Sequence, residues 1–212
     1  MLKQPTRMIM WAARWLGERK RPVSRVEGEA GFLSDLRAMF DEADVVVTYN
    51  GDKFDLLHIN RELAELKLAP LRPVASVDLL KVVKSRFKLP YYRLDYVAGL
   101  FLGKGKTETG GFGLWERYMQ GDAKAVAKMR KYNQDDVVLT EALYTFLRPW
   151  IKNHPYVGAV PEIADQPTDY ECPACEGRDV ALLRPRRTRC YAIRVLWCAS
   201  CGSYFDGKRK KL

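Results

Sequence analysis

Hydrophobic positions along the chain change period several times, and each change marks an element. Residues 7–15, with MIMWAARW at their centre, are a short apolar run that predicts a strand, and a second strand is expected at 22–26. In FLSDLRAMFDEA, 32–43, apolar residues recur at helical spacing before an acidic end, which predicts a helix. Residues 45–49 make a brief, mostly apolar strand of the kind buried on both faces. A helical period then runs from about 52 to 68, with Leu56, Ile59, Leu63 and Leu66 as its buried stripe, until Pro70 and Pro73 end it.

SVDLLKVVKSRF, 76–87, reads as a helix with a basic outer face, and 94–102 as another, stopped by Gly103 and Gly105. The segment 104–113, KGKTETGGFG, is too rich in Gly and Thr to be regular; it fits a plain connection or a loop that closes over a backbone phosphate. A long helical region covers 115–150, broken near Gly121, where Asp122 can cap the second part. Strands alternating with helices predict an α/β domain over 1–150, followed by a proline-containing linker, 151–169, and a separate segment, 170–212.

A chain of 212 residues accommodates one ordinary domain and a small appendage. No run approaches the roughly 20 apolar residues that span a bilayer, and the first twenty residues carry no cleavage-site pattern, so a cytosolic protein without membrane contact is expected. The formal charge is +10, and residues 170–212 contribute ten Lys/Arg against four Asp/Glu. Charge concentrated in this way suits a polyanionic partner; it also suits a surface that is merely well solvated.

All five cysteines follow residue 171, and four of them form two knuckles, Cys172-Pro-Ala-Cys175 and Cys198-Ala-Ser-Cys201, with twenty-two residues between. Zn²⁺ takes four soft ligands at tetrahedral corners, and each knuckle bends the backbone so that two thiolates face one ion. Gly202 adds the small residue such a turn needs. A disulfide framework would require secretion and a redox pair only one knuckle, so a structural zinc ribbon is predicted. About 40 residues cannot fold on apolar burial alone, and the metal would supply most of the stability. Cys190 lies outside the pattern, as a bystander on a strand. Between the knuckles, Arg184, Arg186, Arg187, Arg189 and Arg194 interleave with Tyr191 and Trp197. Arginines grip phosphates and aromatic faces stack on bases; the same aromatics serve equally as a small core.

Two further segments carry chemistry. VVVTYNGDKFD places Asn50, Phe54 and Asp55 where a buried strand gives way to a helix, and KYNQDDVV places Tyr132 and Asp136 one turn apart on one helix face. Asp135 points about 100° away from Asp136. Carboxylates so placed can hold a hard divalent cation such as Mg²⁺; taken singly, each Asp could equally be a helix cap or a solvated residue.

Taken together and in this order, Asn50-Gly-Asp-Lys-Phe54-Asp55 resembles the N-x-x-x-F-D motif, and Tyr132-Asn-Gln-Asp-Asp136 the Y-x-x-x-D motif, of the DEDD (DnaQ-like) 3′–5′ exonucleases. The likeness covers roughly 7–150 and is nearest to the exonucleases of B-family polymerases and their stand-alone, phage-type relatives. It implies a ribonuclease-H-like mixed sheet flanked by helices, with a zinc ribbon appended. It also implies that Asp55 and Asp136 hold Mg²⁺ or Mn²⁺ as a two-ion site and that Tyr132 orients the attacking water. Asn50 and Phe54 would then meet the substrate, with Arg186, Arg187 and Arg189 of the ribbon expected to grip its phosphates.

The family begins with a central strand bearing D-x-E, and nothing in residues 1–44 supplies it; the strand at 7–15 resembles the family's second strand. Glu27-Gly-Glu29 has the spacing but sits in a loop-like setting, with Gly28 between the acids. Three readings follow: a true start further upstream or a second chain that supplies the strand, a degenerate nuclease retained as a binding module, or acids from elsewhere in the chain. The expected function is a metal-dependent 3′–5′ exonuclease acting on DNA rather than RNA in a bacterial or phage-infected cytoplasm, with a polymerase or replication protein as partner. The alternative is a catalytically inactive nucleic-acid-binding protein that works through its zinc ribbon.

Overall fold

The computed structural model describes residues 7–103, 111–152, 154–155 and 163–212. The fold is mixed α/β, as the alternation of periods requires, and the chain divides into two compact units. The first comprises Met1–Leu36, Val47–His58 and Asp78–Lys152; the second comprises Arg37–Val46, Ile59–Val77 and Asn153–Leu212.

In the first unit, β1 (Met10–Ala13) and β2 (Val23–Val26) pair antiparallel, with Met10 opposite Val26 and Ala13 opposite Val23. The expected strand at 7–15 is thus trimmed to four residues, because beyond Ala13 the chain turns: Arg14 and the Gly17 N–H both bond Glu141. Glu141 lies on α6 (Ala123–Leu147), which packs against β1, β2, α3 (Leu79–Arg86), α4 (Leu94–Leu102) and α5 (Phe112–Met119). Leu79, Val83, Val97, Ala98, Leu114, Leu143 and Leu147 are fully buried. The break near Gly121 is where the pattern put it: Gly121 has φ +79°, and the Asp122 carboxylate accepts the N–H groups of Lys124 at 2.8 Å and Ala125 at 3.3 Å.

Four further boundaries differ from expectation. Residues 76–78 are not helical; they belong to β4 (Ala75–Asp78), which pairs with β3 (Val45–Thr48). Asp78 caps α3 by accepting the Leu80 N–H, and an N-cap residue keeps extended backbone, so the helix starts only after it. Helix α2 (Asp55–Glu65) starts at Asp55 rather than near Asp52, because Asn50 takes φ +68° and the chain makes a tight corner first. Within α2, Ile59 and Leu63 are buried, but Leu66 lies beyond its end and is exposed, since Lys67 at φ +55° closes the helix with the Leu68 N–H bonded to the Leu63 carbonyl at 2.8 Å. Phe112 and Gly113, expected in a loop, open α5; 104–110 lie outside the described residues.

Helix α1 (Ser34–Glu42) runs from the first unit into the second. In the second unit, β5 (Val180–Leu182) and β6 (Arg186–Arg187) pair with successive parts of β7 (Tyr191–Cys198), which also pairs with β8 (Tyr204–Lys211); all pairings are antiparallel. Cys190 is not on a strand but exposed at the bend before β7. A bulge between Ile193 and Val195 shifts the β7–β8 register; nearby, a Cβ on Gly207 would lie 2.4 Å from Leu196 Cδ1. Within the expected linker, Pro167–Asp169 form one 3-10 turn, and Tyr170 donates to Asp165 at 2.5 Å while accepting the Lys208 N–H at 2.9 Å.

Candidate nuclease site and four-cysteine centre

The first candidate site grows from the corner after β3. The Lys53 and Phe54 N–H groups bond the carbonyls of Asn50 and Gly51 at 3.3 Å each, and the Leu56 N–H returns to Gly51 at 2.9 Å, which points the first turn of α2 away from the strand. Gly51 is required here, since a Cβ would stand 2.5 Å from the Thr48 side chain. Asp55 opens α2, where the unpaired N–H groups of a helix start favour an anion. Its residue surface is exposed, yet the surrounding protein displaces enough solvent to raise its carboxyl above the ordinary range; the Asp78 carboxylate adds to that rise, while its own N–H and His58 oppose it. A cation beside Asp55 would relieve this unfavourable charge. Phe54 is 57% exposed and meets His58 edge-on, with ring centroids 4.6 Å apart.

Tyr132 and Asp136 lie one turn apart on α6, both half-buried. A carboxylate and a phenol there, like the carboxylate of Asp55, are hard oxygen donors of the type divalent cations take. Among the described residues, no group of three or more metal-binding side chains lies together outside the cysteines. Glu27 and Glu29 sit in the turn after β2 and are engaged there: Glu27 pairs with Arg7 at 3.3 Å, and Glu29 accepts the Val26 N–H at 2.9 Å and pairs with Arg130. The Val26 N–H and then Arg130 hold the Glu29 carboxyl below the ordinary range.

Asp78 is the residue the sequence reading missed. It is buried, accepts the Asn50 N–H at 2.8 Å, and so ties the corner to α3. The available signal was an Asp directly before a Leu-Leu helical start, a capping position rather than a helix interior.

The second site is complete as it stands. The ligand atoms of Cys172, Cys175, Cys198 and Cys201 all lie within 4.8 Å of one another, with the Cys172–Cys201 and Cys175–Cys198 sulfurs 3.6 Å apart. Four sulfurs each about 2.3 Å from one ion would be spaced by about 3.8 Å, so the cluster fits tetrahedral zinc. Each knuckle is a closed turn: the Cys172 N–H bonds the Gly177 carbonyl at 2.9 Å, and the Gly202 N–H, at φ +76°, returns to the Cys198 carbonyl at 2.8 Å. The Ser203 hydroxyl and backbone pull the Cys201 thiol down to about 6. At Cys175 the Gly177 backbone also lowers the thiol, but the neighbouring thiols outweigh it and push it up to about 12.

The ribbon arginines are largely committed within the second unit. Arg186 pairs with Asp206 at 2.5 Å, Arg184 with Asp44 and Arg178 with Glu171; Arg194 is held by Asp165 at 3.2 Å and by two backbone carbonyls. Arg209 lies 5.0 Å above the Tyr191 ring, so one aromatic face is already covered.

The family model of the RNase H superfamily matches residues 17–148 of this chain, a span that holds both acid-bearing motifs. The chain belongs to that superfamily. It is also 28% identical over 123 residues to a DNA polymerase of Pyrococcus glycovorans, which covers 48% of this chain and 16% of that protein. It is 27% identical over 120 residues to DNA polymerase 1 of Pyrococcus abyssi, covering 47% and 15% respectively. The chain therefore spans about a sixth of the length of the curated relatives it matches. The RNase H-like α/β fold expected from the motifs is the fold of this superfamily member, with a C-terminal four-cysteine cluster consistent with a zinc ribbon. Among the described residues, no helix is long and apolar enough to cross a membrane.

Proposed function

We propose that this RNase H superfamily chain is, or forms part of, a metal-dependent 3′–5′ exonuclease acting on DNA in the cytoplasm, in company with a polymerase or other replication protein. The observation that carries the reading is the corner at Asn50–Asp55, where a partly desolvated carboxylate opens a helix, in a chain that also sets Tyr132 one turn from Asp136. Asp55 and Asp136 would hold Mg²⁺ or Mn²⁺, hard cations that take carboxylate oxygens. Two such ions, when bound, supply the charge that stabilises the attacking and leaving oxygens of an in-line displacement. Tyr132 orients a water for attack, Phe54 offers its exposed ring to the terminal nucleotide, and Asn50 shapes the strand end. The test is cleavage of 5′-labelled single-stranded DNA with Mg²⁺ or Mn²⁺. A ladder from this chain that vanishes in the Asp55→Ala, Asp136→Ala double variant supports the reading; a ladder that survives it sinks the metal assignment.

A second reading is favoured by the sheet. Among the described residues, β1 pairs only with β2 and β3 only with β4, and no group of three or more metal-binding side chains includes Asp55. Two carboxylates balance half the charge of two divalent cations, so a second chain bearing the D-x-E strand would complete the site. Without it the protein works as a nucleic-acid binder, through a zinc ribbon whose Arg187, Arg189, Lys210 and Lys211 face phosphates. Arg186 would do so by exchanging Asp206 for phosphate, and Arg187 and Arg189 likewise by giving up contacts within the protein. Binding that survives loss of both acids, yet falls on zinc chelation and steeply with salt, identifies this case.

A further inference from the structure

Asp78 stands outside both motifs, yet it is firmly built into the corner that carries Asp55. Its side chain is buried, at 4% exposure. Oδ1 accepts the N–H of Asn50 at 2.8 Å and of Leu80 at 3.0 Å, so one oxygen holds both the chain leaving β3 and the start of α3. A second tether runs beside it: Lys81, in the first turn of α3, donates to Asp52 at 2.6 Å. The corner needs such holding. Asn50 is left-handed at φ +68°, a conformation that costs any residue with a Cβ, and Gly51 is pressed against Thr48. Asp78 Oδ2, in turn, is buried with no hydrogen-bond partner among the described residues, a cost that a cap needed only for helix stability would avoid at a solvated position.

We propose that Asp78 is a positioning residue for Asp55: its carboxylate clamps the Asn50 amide and thereby fixes the left-handed corner that sets the direction of Asp55. The inference rests on the reading of Asp55 as a cation ligand. Asp78 does not join a three-acid ligand group with Asp55, since none is present among the described residues. It acts as an acceptor for two N–H groups, so an amide oxygen in its place preserves the clamp and a methyl group does not. Residues that orient ligands in this way typically change metal affinity by about 10–100-fold when lost.

The experiment titrates the full chain with Mn²⁺ by electron paramagnetic resonance and follows amide exchange at Asn50 by NMR, for the parent, Asp78→Asn, Asp78→Ala and Asp55→Asn. The expected result is that Asp78→Ala weakens Mn²⁺ binding by about tenfold and speeds Asn50 exchange by about tenfold, while Asp78→Asn stays within about threefold of the parent in both. If Asp78→Ala fails to fold, Asp78→Asn decides: Mn²⁺ affinity lost as fully as in Asp55→Asn, with Asn50 still protected, overturns the clamp in favour of a direct charge effect. Parent-like affinity and exchange in Asp78→Ala overturn it as well. Failure of the underlying reading looks different: Asp55→Asn itself then leaves Mn²⁺ binding unchanged, or the parent binds none, and the inference falls with it.

Discussion

The corner after β3 and the four-cysteine ribbon both place candidate metal-binding side chains on tight turns, but they hold them by opposite means. In the ribbon, the ligands are the framework: Cys172 and Cys198 are buried, and all four sulfurs converge. At the corner, other residues do the holding. Asp78, Lys81 and Gly51 fix the backbone, while the Asp55 carboxylate accepts its own N–H at the start of α2. On the proposed reading, the difference teaches that a structural metal site and its fold would stand or fall together, whereas a catalytic acid could be removed from a fold that persists without it.

The largest effect expected from this contrast is on the ribbon. Chelating zinc, or Cys172→Ser with Cys198→Ser, should remove stabilisation on the order of 10 kcal/mol, and amide protection from Tyr191–Cys198 through Tyr204–Lys211 should vanish. A ribbon that keeps its spectrum after chelation breaks the comparison at once. Next comes the corner: Asp55→Ala with Asp136→Ala should lower cleavage by the assembled enzyme at least about a thousandfold, while melting shifts by no more than about 3 °C. Stability should not fall with Asp55, because its charge is already disfavoured where it sits.

A paired substitution sharpens the point. Gly51→Ala and Gly207→Ala each force a Cβ into a neighbouring side chain, at 2.5 Å from Thr48 and 2.4 Å from Leu196, and each should cost about 1–3 kcal/mol in chemical denaturation. Only Gly51→Ala should also weaken Mn²⁺ binding. Smaller still, Asp122→Ala should cost about 1 kcal/mol, because it frees the N–H groups of Lys124 and Ala125 at the start of α6. The mildest change is Lys210→Ala, which should flatten the salt dependence of DNA binding by about 0.9 in the logarithmic slope if that exposed side chain meets a phosphate.

Much of this architecture was legible in residue order. The period changes located β3, α4 and the break at Gly121, and the two C-x-x-C knuckles located the cluster, because local chemistry forces each of these. Boundaries failed where a single side chain overrode the period. Ser76 to Asp78 sit in a helical-looking run, but the Asp78 carboxylate caps α3 and leaves the preceding residues to pair with β3. Leu66 continues the apolar spacing of α2, yet Lys67 turns left-handed and leaves it in solvent. The arginines between the knuckles read as a uniform basic face, whereas Asp44, Asp165 and Asp206, remote in sequence, engage Arg184, Arg194 and Arg186.

The sequence by itself determined membership of the RNase H superfamily, the presence of two acid-bearing motifs and the pairing of four cysteines into two knuckles, because motif spacing and side-chain chemistry are local properties. Only the tertiary structure decided how Asp55 is held and which cations of the ribbon are already paired. Those outcomes depend on Asp78 reaching back to Asn50 and on aspartates reaching arginines from distant segments, contacts that exist only once the chain has folded.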